Sequence, residues 1–143
     1  MAMNTGKVVV GGLVAGVVFN IGDFVINTML LTADNAAFLT RLGIDPAAME
    51  SFAGIAPWIV IDFLFGLLVV WTYAAIRPRL GPGVSTAIIA GLIPYLGATL
   101  VLAGFTSMGV FPVAMFIKGS IASLINTSIG AVAGAWVYTE ANV

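Results

Sequence analysis

The stretch "VVVGGLVAGVVFNIGDFVINTMLL", Val8 to Leu31, decides the fold. A helix needs about 20 mainly apolar residues to cross the hydrocarbon core of a bilayer, and this run is long enough to do so. Its second half carries Asn20, Asp23 and Asn27. An ionisable side chain at mid-membrane costs about 2.5–3.5 kcal/mol on insertion scales, so Asp23 calls for a polar partner from another helix.

The rest of the chain has the same character. Of 143 residues, 61% are hydrophobic and 8% charged, with a mean hydropathy of +1.15. Soluble domains carry about 25% charged residues, so this chain lacks the means to cover a water-facing surface. Its length suits one domain over residues 1–143, here one bundle in lipid. A net charge of −1 provides no basic footprint for nucleic acid. With neither histidine nor cysteine, disulfides and thiol or Ser–His–Asp catalysis are excluded. The usual ligands of zinc, haem and iron–sulfur clusters are missing too, so no cofactor, no metal and no enzymatic activity are expected. The opening "MAMNTGK" precedes an apolar run too long for a signal peptide, with no small-residue cleavage site after a short core. It reads as the start of a retained first transmembrane helix.

Four segments qualify as spans: Val8–Leu31, Ala53–Ile76, Val84–Met108 and Pro112–Tyr138. The expected fold is therefore all-α, an integral membrane bundle of four transmembrane helices. The first connection is the only long one. In it Phe38, Leu39 and Leu42 recur at helical spacing beside Arg41, which predicts a short interfacial helix. Asp45–Pro46 predicts a turn or a fresh helix start. "RPRLGPG", Arg77 to Gly83, reads as a tight polar turn, and "TSMGVFP" closes the last hairpin. Lys7, Arg77 and Arg79 lie on one side and Arg41 alone on the other. The positive-inside rule then puts both termini on the cytoplasmic side of a cell (inner) membrane.

At 3.6 residues per turn, Gly12, Gly16, Asn20, Asp23 and Asn27 share one face of the first helix. Small residues let backbones approach and amides bond across the gap, so this is the expected packing face. The second span offers Trp58, Asp62, Gly66, Val69 and Tyr73, and the third Gly91, Tyr95, Ala98 and Leu102, with a kink expected at Pro94. In the fourth, Gly119, Ser123, Asn126, Thr127, Gly130 and Gly134 form a small-polar strip containing a GxxxG. Trp58, Trp71, Tyr73, Trp136 and Tyr138 lie near helix ends, where aromatic belts form.

With both termini on one side, Asp23, Asp62 and Lys118 sit at similar depths, about 12, 14 and 9 Å from the far end of their helices. A shared cluster follows, with Lys118 paired to one aspartate and the other bonded to Asn20, Asn27 or Asn126. A structural lock between helices is the favoured role of this cluster, ahead of a proton or cation pathway. A weak internal echo, "AGVVFNIG" with "AGLIPYLG" and "IDFLFG" with "INTSIG", would relate the two halves as similarly oriented hairpins.

The segments "FLTRLGID", "AGLIPYLGATLVLAG" and "SIGAVAGAW" resemble a group of uncharacterised small bacterial four-helix membrane proteins, a domain of unknown function. That resemblance implies a fold and a location and no activity. The size, with a charge in the first helix, is also similar to small multidrug-resistance exporters, but those carry a glutamate there and no long first connection. Two functions are therefore carried forward. The favoured one is a non-catalytic accessory subunit, packing its glycine faces against other subunits of a larger membrane assembly such as a respiratory or photosynthetic one. The alternative is a small homo-oligomeric transporter or channel using Asp23, Asp62 and Lys118.

Overall fold

The computed structural model describes residues 3–141 and is built from helices. Helix α1 (Thr5–Val25) is continued by a π-helical turn (Ile26–Leu30), and α2 (Thr32–Arg41) and α3 (Pro46–Glu50) occupy the first connection. Then come α4 (Phe52–Leu80), α5 (Val84–Ser107) and α6 (Val113–Val137). Among the described residues four helices are long and apolar enough to cross a membrane: α1 with its π turn, α4, α5 and α6. Lipid offers no hydrogen-bond partner, so a helix, which satisfies its own backbone, is the natural form for such runs.

Helix starts are capped as their sequences suggest. The Asn4 side chain accepts from the Lys7 amide at 3.1 Å, Asp45 from Ala47 at 3.0 Å and Ser51 from Gly54 at 3.2 Å. The first connection holds two short helices where one was expected. Arg77–Gly83 is not wholly a turn. Helix α4 runs on through Arg77, Pro78 and Arg79 to Leu80, leaving Gly81–Gly83 to reverse the chain, with Gly81 at φ 81°. Proline costs little this near a helix end, and two arginines in the last turn complement the negative end of the helix dipole.

The four long helices run up, down, up, down. Helix α1 packs on α4 and α6, α5 packs on the same two, and α1 and α5 stand across a diagonal. Glycines set the distances. A Cβ added at Gly66 of α4 would collide with the backbone of Gly12 and Gly16 of α1. On the other side of α1, a Cβ at Gly11 would lie 2.6 Å from the Gly134 carbonyl of α6. Helix α1 is thus clasped from two sides at backbone contact, where dispersion and close packing replace the hydrophobic drive that lipid removes.

The core is uneven. Buried apolar residues such as Ala15, Phe19, Val69, Val70, Ala87, Ala90 and Ala131 concentrate in the half nearer the termini. Helix α5 buries only Thr86, Ala87, Ala90 and Gly91, so Ala98 and Leu102, expected on its packing face, are exposed. Trp58 is likewise 60% exposed instead of packed. Face assignments from period alone fail here because burial is concentrated toward the termini, so a stripe that packs at one end of a helix points outward at the other.

Candidate functional site at an intramembrane carboxyl pair

Where the tight core ends, α1, α4 and α6 bring their polar side chains together. Asn126 of α6 is buried. Its amide donates to the Asp23 carboxylate at 2.9 Å and to the Phe19 carbonyl at 3.2 Å. Asp62 of α4 is the acidic neighbour of Asp23, and both aspartates are half-buried. Asn20, one turn along α1, donates to its own helix at Gly16 (2.9 Å) and to the Ile59 carbonyl of α4 at 3.4 Å.

Glycine makes room for this arrangement. Any side chain at Gly22 would overlap the Asn126 amide, and any at Gly130 would overlap the Phe19 ring. Phe19 in turn packs edge-on against Phe65 of α4, centroids 5.3 Å apart, and forms the apolar floor toward the termini. Gly119 lies against Leu31, with 3.6 Å between the Leu31 methyl and a Cβ built there, while Ser123 is half-buried on the same helix.

Two residues of the expected cluster lie elsewhere. Lys118 pairs with Asp34 of α2 at 2.9 Å, and not with Asp23 or Asp62. A flexible ammonium stem near the end of α6 reaches the connecting helix while keeping its charge toward water, at 49% side-chain exposure. Asn27 is exposed. Its amide caps the Asp23 carbonyl at 2.8 Å, and its side-chain oxygen accepts from Asn35 at 3.0 Å. Beyond Val25 the helix continues as a π turn, in which Leu31 bonds back to Ile26 at 2.9 Å, one residue further than in an α-helix.

Sequence reading did not find Asp34 as the partner of Lys118, nor Gly22 as the seat of Asn126. A signal for Gly22 exists: Gly11, Ala15, Phe19 and Gly22 recur at helical spacing and form a second face of α1, the one turned to α6. Of the glycine faces expected to meet other subunits, those of α1, α4 and α6 are filled from within the bundle. Gly11, Gly12, Gly16, Gly22, Gly66, Gly91, Gly130 and Gly134 are all occupied within the bundle, whereas Gly97 and Gly104 of α5 face open space.

Chemically, this is a pair of carboxyls from neighbouring helices, one bonded to a buried amide, in an apolar setting. Among the described residues the ion pairs are Arg77–Glu140 and Lys118–Asp34, and neither involves Asp23 or Asp62. The chain is a multi-pass, mostly helical membrane-spanning protein. Comparison with protein-family models, with curated proteins and with solved structures found no match, so nothing ties it to the family it resembles beyond that architecture.

Proposed function

We propose that this protein is a small membrane transporter or channel, non-enzymatic, in which the Asp23–Asp62 pair takes up and releases a cation, the proton being the minimal case. One observation carries the reading: two carboxyls neighbour each other inside the membrane-spanning region, and Lys118, the cation expected beside them, is committed to Asp34. A structural lock accounts for the Asn126–Asp23 bond but gives no reason for a second acid beside it. Two neighbouring acids make a place for a positive charge, and intramembrane acids commonly mark such pathways. Lys118, part of the alternative as drawn from sequence, drops out of the site. Phe19, Phe65 and the glycine contacts close the bundle toward the termini, so the working unit is a homo-oligomer with the half-exposed Asp62 edge turned to the partner copy. The membrane in question is the inner one, with both termini cytoplasmic.

Proteoliposomes test this. Under an imposed proton or sodium gradient, the native protein should dissipate the gradient faster than empty liposomes. Asp23→Asn, which keeps the hydrogen bond to Asn126, should assemble normally and lose that flux. Equal flux from both proteins under both gradients overturns the proposal.

A second reading, the accessory subunit of a larger assembly, is favoured by a different observation. Gly97 and Gly104 sit seven residues apart on the far half of α5 with no neighbour within 4 Å, as a helix from another chain would require. A stoichiometric partner co-purifying in mild detergent would support it, and a homo-oligomer alone would speak for transport.

A further inference from the structure

Past the last turn of α6, residues 138–141 lie across the termini end of the bundle as a short strap. Tyr138 has left the helix, with φ −76° and ψ 129°, yet its side chain is buried. Its hydroxyl accepts from the Asn4 amide at the start of α1 at 3.3 Å, and its ring stands edge-on to Tyr73 of α4, centroids 5.9 Å apart. Arg77, one turn further along α4, lies over the same ring at 5.6 Å and pairs with Glu140 at 2.8 Å. The Tyr73 hydroxyl in turn accepts from the Gly83 amide, in the turn to α5, at 3.3 Å. The strap therefore ties the end of α4 to the ends of α1 and α6, whereas α4 and α6 otherwise pack chiefly on α1 and α5.

We infer that residues 138–141 are a latch, closed in this structure, which must release for a cation to pass from the carboxyl pair to the termini side. The inference rests on the transport reading above. Phe19, Phe65 and the glycine contacts of α1 close the bundle between that pair and the termini. A cation arriving from the far side leaves toward the termini only when α4 shifts, and Arg77 near the end of α4 is what the strap grips. Two features suit the contact to opening. The closed strap leaves Arg77 Nε buried with no hydrogen-bond partner among the described residues, a cost that release to water removes. A half-open groove of about 480 Å³ also runs beside Tyr138, past Val84, Ala87 and Val132, and gives the ring space to move into. A switch needs two packings of nearly equal energy. One ion pair, one ring pair and one long hydrogen bond are a small enough contact to provide them.

A latch and a merely structural contact respond in opposite ways when the contact is made permanent. The chain has no cysteine, so Arg77→Cys and Glu140→Cys can be joined by a short bis-methanethiosulfonate linker that a reductant cleaves. In proteoliposomes under a proton or sodium gradient, the unlinked double variant should carry at least the native flux. The linked protein should lose nearly all of it, and dithiothreitol should restore it. Undiminished flux in the linked protein overturns the latch and leaves the transport reading standing. Absence of flux from the native protein overturns the transport reading, and the latch with it. A second measurement needs no flux, and it decides even where the double variant does not fold. Ala74, beside Tyr73, is 3% exposed, so Ala74→Cys should react slowly with a water-soluble maleimide in detergent. Adding Glu140→Gln, which replaces a charge-assisted bond with a neutral one, should speed that reaction about tenfold. An unchanged labelling rate overturns the proposal.

Discussion

Gly130 and Phe19 show how closely single residues are matched here: the ring lies where a Cβ would be. Gly130→Leu should therefore destabilise the bundle by about 1–3 kcal/mol or prevent folding, as overpacking does. Gly104→Leu, at a glycine with nothing within 4 Å, should be tolerated. Thermal unfolding in detergent compares the two, and equal stability would mean that α6 does not pack on Phe19. At Asp23 the direction depends on what replaces the carboxylate. Asp23→Leu strands one bond of the buried Asn126 amide and should cost about 1–3 kcal/mol. Asp23→Asn keeps an acceptor and should unfold close to the native temperature. That Asp23 needs a polar partner is legible in the sequence, because the cost of a bare carboxylate in lipid does not depend on the fold. Which partner it finds is not legible: Lys118 and Asn126 both lie on α6 at plausible depth, and only the rotation of that helix puts the amide inward.

Elements read from the sequence with more success than faces did. Runs of about 20 apolar residues define spans regardless of context, and all four are where hydropathy puts them, to within a few residues. The π turn was invisible because it depends on backbone register, and after it α2 lies against the start of α6. There α2 is tied by Lys118–Asp34, by Arg41 donating to the Val110 carbonyl, and by Phe38 against Phe111 at 5.2 Å. An ion pair this exposed contributes about 0–1 kcal/mol. Lys118→Ala should leave global stability within that range while speeding protease cleavage near Gly43, in the connection that α2 anchors. If Lys118→Ala instead unfolds the bundle, the lysine has a buried role that its exposure does not suggest.

For the whole molecule, four spans would put both ends on one side, and Lys7, Arg77 and Arg79 against Arg41 predict that this side is cytoplasmic. Reporter fusions at the C-terminal end and near Asp45 should give opposite signals, the first cytoplasmic. An external C-terminus would reverse the orientation and put the Arg77–Glu140 contact on the outer side. The sequence alone determined that this is a four-span helical membrane protein, because hydropathy and backbone hydrogen bonding are local and additive along the chain. It also determined that small residues bring the helices together. Tertiary structure alone decided that the glycines of α1, α4 and α6 are spent inside one bundle, that α1 has two packing faces, and that Asp23 bonds Asn126 while Lys118 turns away. Those outcomes rest on helix rotation and crossing. In lipid, every face of such a helix is apolar enough to point outward, so no hydrophobic stripe exists to announce which one turns in.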